Sequence, residues 1–282
     1  MSRLSRPTLA HELHYEASVS VARLLCSGTT EREKLIASAV PLTEATTPRG
    51  RERAAAAVLA RLGIGRRRYG RPAGLHRLLV ELPEAVGRQL LVYVVALRER
   101  LLAAIAEEVL YPYFVCHRVP SVMTAEEFRA INANGLFEVA GGITHAAVAE
   151  YARRRWGITD PSVTGRALRV LRKGGIIASA WMSRQGRRCL GYFPIIGCPD
   201  LACFTYALYA VHAEEGRVRL DRLRAGVFSR LFLLRPLAID FLLERARGLG
   251  LITNGHSGLA ELTYPSLEDA VKALLDAHRM ER

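Results

Sequence analysis

The sequence predicts a mainly α-helical protein: an N-terminal helical bundle followed by two winged helix-turn-helix units with small β-hairpin wings. Three observations predict it. Apolar residues recur at helical spacing as far as about residue 140, without strand-like alternation. Residues 141–197 then run helix, turn, helix, hairpin, with a basic hairpin tip. Residues 198–282 repeat that order. LRVLRKGGIIASAW (168–181) and LLERARGLGLITNG (242–255) each join an amphipathic helix, a basic residue, glycine, an apolar pair and a hairpin. Two weakly similar units are too few for a solenoid. The expected organisation is a helical segment at 1–45, a bundle at 46–140, a first winged helix at 141–197 and a second at 198–282.

Taken in order, Thr30-Glu31-Arg32-Glu33 is a capping-box pattern, expected to open a helix through Leu35 and Ile36 that Pro41 ends. Thr43 to Gly50 is a polar turn. Glu52 to Leu62 is alanine-rich, with Ala55, Val58, Leu59 and Leu62 on one face, and Gly63 and Gly65 stop it. Arg66, Arg67, Arg68 and Arg71 surround Tyr69 in a basic loop. Leu75 to Leu82 and Glu84 to Val115 read as helices, the second with Leu90, Val94, Leu97, Leu101 and Ile105 at helical spacing. Thr124 and Glu127 form a second capping box before Phe128 and Ile131, and Asn134-Gly135 and Gly141-Gly142 punctuate the chain.

In the first winged unit, Thr144 to Trp156 is a helix with Ala147, Val148 and Tyr151 inward. Asp160 as cap and Pro161 at the first helical position start the next, which runs to Lys173 and stops at Gly174-Gly175. Ile176 to Trp181 and Cys189 to Ile195 are the hairpin strands around the turn Ser183 to Arg188. The second unit reads as helices at Leu201 to His212, Leu220 to Arg224 and Pro236 to Arg247, then strands at Leu251 to Thr253 and Leu259 to Tyr264. Ser266 and Asp269 cap a last helix reaching about His278.

With 282 residues, 50% hydrophobic and 24% charged, the chain has material for a real core and is no disordered tail. Lys and Arg number 40 against 27 Asp and Glu, a formal net charge of +13, and Lys34, Lys173 and Lys272 are the lysines. Base composition can favour Arg over Lys, yet it does not require a cationic surplus, so a polyanionic partner is expected. Five cysteines without a CxxC pair argue against a disulfide framework and for a reducing, cytoplasmic compartment; buried small hydrophobes are the expected role. The apolar run LLVYVVAL ends at Arg98, too soon for a membrane span, so no membrane partner is expected.

The functional candidates are cationic. Ser162, Arg166, Arg169 and Lys173 share a polar face opposite Val163, Ala167, Leu168 and Leu171, with Ser162 and Arg166 early on the helix, where a recognition helix meets base edges. Arg184, Arg187 and Arg188 add a basic wing beside it. Arg66, Arg67, Arg68 and Arg71 could follow phosphates or enter a minor groove. Arg153, Arg154 and Arg155 close their helix, where the macrodipole already favours cations. The second unit carries less of a reading face: Leu237, Ile239, Phe241, Leu242 and Leu243 make its long helix apolar, and Asp240 and Glu244 offset Arg235, Arg245 and Arg247. A homodimer or partner contact suits it as well as DNA, while Arg217, Arg219, Arg222 and Arg224 keep DNA open there.

Enzyme signals are weak. His11-Glu12-Leu13-His14 lacks the spacing of a zinc helix, and no phosphate loop, dinucleotide fingerprint or nucleophile elbow occurs. No catalytic residue, metal or cofactor is expected. His76, His117, His145, His212, His256 and His278 read as caps or half-buried residues.

From about Lys34 to Phe193 the chain resembles the BrxA family. The likeness lies in the early helix AAAAVLARLGI (54–64), the apolar helical hairpin (75–115), the Glu/Phe helix (126–131) and SVTGRALRVLRKGGII (162–177). The resemblance implies a small helical, cytoplasmic, non-enzymatic DNA-binding protein of a BREX phage-defence system, with other defence proteins as partners and no catalytic residues to transfer. The second winged unit extends beyond the family pattern. Two other readings of the residues stand beside it: a transcriptional regulator and a protein-docking scaffold.

Overall fold

The fold is seen in a computed structural model, in which residues 12–64, 74–132, 141–184, 187–195, 197–256 and 258–280 are described. Helices α1 (Tyr15–Cys26) and α2 (Arg32–Ala39) open it. Glu31, not Thr30, stands at the N-cap of α2, and its carboxylate accepts from Lys34 at 2.8 Å. Pro41 lies in the 3-10 turn Val40–Leu42 that ends this helix, where a missing N–H does least harm. Helix α3 (Pro48–Arg61) begins earlier than Glu52 because Thr47 caps it, accepting from the Gly50 amide at 3.1 Å, with Pro48 in the first turn.

Helices α4 (Leu75–Glu81) and α5 (Glu84–Arg98) follow. The expected single helix from Glu84 to Val115 is interrupted. Glu99 is extended, at φ −103° and ψ 92°, and the chain resumes as α6 (Arg100–Ile105), a π-helical turn (Ala106–Leu110) and α7 (Tyr111–Phe114). Arg61 of α3, 3% exposed, holds the break: its guanidinium donates to Glu99 Oε1 at 2.7 Å and to the Glu12 and Leu13 carbonyls at 2.7 and 3.3 Å. Burial pushes the Glu99 carboxyl up, and Arg61 opposes that. Deleting either partner would strand a buried charge.

Helix α5 is the axis of the molecule. Leu90 through Ala96 are all buried, the pattern of a helix enclosed on every side. Helices α1, α3, α4 and α6 pack around it. This accounts for the apolar run at its centre; among the described residues, no helix is long and apolar enough to cross a membrane.

Helix α8 (Ala125–Asn132) starts with the expected reciprocal box: the Thr124 amide donates to Glu127 Oε2 at 2.9 Å, and the Glu127 amide to Thr124 Oγ1 at 3.2 Å. Then come β1 (Ile143–Thr144), α9 (His145–Trp156), α10 (Pro161–Lys173), β2 (Ile177–Arg184) and β3 (Arg187–Pro194). The three strands form an antiparallel sheet of order β1-β3-β2. The last region contains α11 (Leu201–Tyr206), a π-helical turn (Ala207–Val211), β4 (Ala213–Glu214), β5 (Arg217–Arg219), α12 (Leu220–Ala225), α13 (Val227–Leu231), α14 (Pro236–Gly248), β6 (Ile252–Asn254), β7 (Leu259–Leu262) and α15 (Leu267–Met280). Its sheet order is β4-β5-β7-β6. The protein is thus mostly helical with small antiparallel sheets. In each region a short strand ahead of the helices pairs with the last hairpin strand: β1 with β3, β5 with β7.

Both regions dock on α5, by different means. A Cβ on Gly174, after α10, would lie 2.6 Å from the Val92 side chain, so the backbone itself abuts α5. In the last region Tyr206, Phe228 and Phe232 ring Tyr93 of α5, with centroids at 6.2, 5.3 and 6.2 Å and the first two edge-on. The cysteines depart from expectation. Cys203 is buried, but Cys26, Cys116 and Cys198 are exposed and Cys189 is half-buried, because they fall at a helix end, in linkers and on the hairpin.

Candidate nucleic-acid interface

Helix α10 is built from its cap inward. Asp160 Oδ1 accepts from the Ser162 amide and Oδ2 from the Ser162 hydroxyl, both at 2.8 Å, and these bonds hold the carboxyl below its usual range. His145 Nε2 lies 3.0 Å from both the Pro161 carbonyl and Thr164 Oγ1, fastening the start of α9 to the first turn of α10. Thr164, Ala167, Leu168, Val170 and Leu171 are buried. Ser162, Arg169 and Arg172 are exposed, and Gly165, Arg166 and Lys173 are half-buried.

The expected polar face is therefore assembled, but its two halves differ. At the C-terminal half, carboxylates from the start of the chain meet the cations. Arg169 Nε donates to Glu12 Oε1 at 3.0 Å, and Lys173 Nζ to the Glu44 oxygens at 2.6 and 2.5 Å. Arg169 stays 51% exposed on its side chain, so the pair is solvent-screened. At the N-terminal half, Arg166 makes no ion pair among the described residues. The Ser162 hydroxyl is turned to Asp160 rather than outward.

Beside the helix stands the hairpin. Arg172 donates to Ser179 Oγ at 3.2 Å, joining the flank of α10 to β2. The strands keep register to the tip, where Arg184 faces Arg187 and Ser183 faces Arg188, while the Arg184, Arg187 and Arg188 side chains lie outside what is described. The loop carrying Arg66, Arg67, Arg68 and Arg71 also lies outside the described residues. Trp181 on β2 is 67% exposed, and the sequence reading passed over it. Its signal was a β2 strand in which Ile177, Ser179 and Trp181 share one face. Glu12 and Glu44 were also missed, and no local pattern could have placed them against α10.

Arg153, Arg154 and Arg155 have structural partners. Arg153 and Arg154 bond Glu150, Arg154 also reaches Glu127, and Arg155 reaches Glu108. The two guanidiniums hold the Glu150 carboxyl down to about 2. In the last region the basic run is likewise answered: Arg217 by Glu261, Arg219 by Asp221, Arg222 by Glu214 and Arg224 by Asp240.

The charge surplus follows this division. Residues 141–197 hold ten Lys and Arg against two Asp and Glu, whereas residues 198–282 hold eleven against eleven. The outward side of α14 exposes two large apolar side chains, Leu237 at 79% and Phe241 at 51%, beside Glu244 and Arg245. Leu237 and Phe241 border a groove of about 780 Å³ lined also by Phe114, Ile195, Leu233 and Ala238. Among the described residues, no three His, Cys, Asp or Glu side chains gather as a metal site. Compared with protein-family models, curated proteins and solved structures, the chain matches none.

Proposed function

We propose that residues 141–197 and 198–282 are winged helix-turn-helix units, and that the protein binds double-stranded DNA through the first of them, without catalysis. The observation that carries this reading is the surplus of positive charge in one unit, ten Lys and Arg against two Asp and Glu, around a helix flanked by a hairpin. An α-helix fits the major groove, and an Arg early on it can fork to guanine. Arg166 takes that role. Arg169 and Lys173 reach phosphates once DNA displaces Glu12 and Glu44, and Arg172 adds a third contact from the hairpin side. The resemblance to the BrxA family supports a place in a BREX phage-defence system, in the cytoplasm, with other defence proteins as partners and no cofactor; a transcriptional regulator would use the same DNA contact.

The exposed apolar side chains of α14 favour a second role for the last unit: docking to protein, a second copy of the chain included. The test is anisotropy of labelled duplex DNA across a salt series. With about five phosphates neutralised, log K falls against log salt with a slope near −4 to −5. No binding at about 50 mM salt would overturn the DNA reading and leave the scaffold reading standing.

A further inference from the structure

Trp181 lies outside the buried core. On β2, Ile177 is buried, Ser179 meets Arg172, and Trp181, next on the same face, emerges into solvent with two thirds of its surface exposed. Its cross-strand neighbour is half-buried Leu190, and that of Ser179 is Tyr192. The face thus runs outward from apolar core to an indole and a leucine, on the side where Arg172 reaches across from α10. Arg169 and Arg172 both lie close enough to influence the Tyr192 phenol. An indole two positions along the strand from the serine that Arg172 bonds suits a nucleotide: the cation takes a phosphate, and the indole takes an apolar ring face that phosphates cannot supply.

We propose that Trp181 is a nucleotide-stacking contact, holding the apolar face of a base or sugar against the hairpin while Arg172 meets an adjacent phosphate. This rests on the DNA reading above and adds a contact whose strength does not depend on salt.

The experiment compares wild type, Trp181→Ala and Trp181→Phe on a blunt duplex and on the same duplex with a short unpaired tail, reading DNA anisotropy and indole emission. Trp181→Ala should weaken binding about ten-fold with the salt slope unchanged, and Trp181→Phe should retain affinity within about two-fold. Wild-type emission should be quenched by DNA, and that quenching should vanish in Trp181→Phe, which leaves Trp156 as the remaining indole. A larger loss on the tailed duplex supports stacking on a base, and an equal loss on both supports the sugar face. Undiminished affinity of Trp181→Ala, quenching that persists in Trp181→Phe, or a slope shallower by about one would overturn the proposal while DNA binding stands. A wild type that binds neither duplex at about 50 mM salt would remove the DNA reading and this contact together.

Discussion

The two helix-and-hairpin regions share an order of elements and a strand pairing, yet they present opposite chemistry at the same structural position. Helix α10 exposes Arg169 and Arg172, with Arg166 half-buried; helix α14, which likewise leads into its hairpin, exposes Leu237 and Phe241 beside Glu244 and Arg245. The first region holds ten cations against two carboxylates of its own and meets Glu12, Glu44, Glu108 and Glu127 from earlier in the chain, whereas the second balances each cation of the 217–224 run with a carboxylate of its own. Docking differs as well. Backbone at Gly174 lies against α5 in one case, and an aromatic cluster encloses Tyr93 in the other. Two regions with one order of elements thus present different surfaces.

The largest effect that sharpens this contrast is on stability. Phe228→Ala in the second region should cost about 3–5 kcal/mol in denaturant melts, because a fully buried ring leaves a cavity beside Tyr93. The affinity of the remaining folded protein for DNA should be unchanged.

Next comes binding. Replacing Arg166 and Arg169 by Ala should weaken duplex binding by roughly 1–3 kcal/mol and blunt any sequence preference, with stability altered by less than about 0.5 kcal/mol. The matched pair Arg245→Ala with Arg247→Ala should matter less. Loss of binding in the α14 pair together with retention in the α10 pair, measured by anisotropy, would reverse the assignment of the two units.

A smaller effect tests the carboxylates on α10. Glu44→Gln frees Lys173 from its closest partner. Duplex affinity should rise by up to about five-fold and the salt slope should steepen by about one, since one more phosphate can be neutralised. An unchanged slope would show that Lys173 stays off the DNA.

The smallest effect is on pH. His212, after α11, is pushed below its ordinary 6.5 by burial first and by Arg222 second, and its Nε2 is buried without a hydrogen bond. The unfolded chain therefore takes the proton first, so the second region is at full stability above about pH 6.5 and loses it as pH falls. In the first region, the Glu150 contribution is present above its ordinary 4.5 and fades as pH falls towards about 2. Amide protection, corrected for the intrinsic exchange rate at each pH, should fall in the second region as pH drops below about 6.5 while the first stays protected. A simultaneous fall in both would mean that the two open as one.

Most features specified by neighbouring residues were legible, the Thr30–Glu33 box excepted, where Glu31 stands at the N-cap. Asp160-Pro161, the Thr124–Glu127 box and the 3.6-residue stripe on α10 read directly, because each is settled within a few positions. Features set by distant partners were not. The break at Glu99 carries no Gly or Pro; it is stabilised by Arg61, 38 positions earlier. Strands β1, β4 and β5 are two or three residues long, too short for an alternation, and β1 and β5 exist through their pairing with later hairpins. The π-helical turns have no side-chain signature at all. For the candidate site, the cations of α10 were visible in its own sequence, but Glu12 lies 157 positions from Arg169. Nothing local announces that pair.

The uneven distribution of charge has a kinetic consequence. A surplus of eight positive charges in residues 141–197 beside a balanced region makes the molecule an electric dipole. In the field of any polyanion it experiences a torque before contact and arrives with that end leading. Fewer collisions are wasted on the wrong orientation, so the bimolecular rate constant exceeds that of an evenly charged protein of the same total charge. Added salt shortens the reach of the field to about 8 Å at physiological ionic strength, so it slows arrival as well as hastening departure.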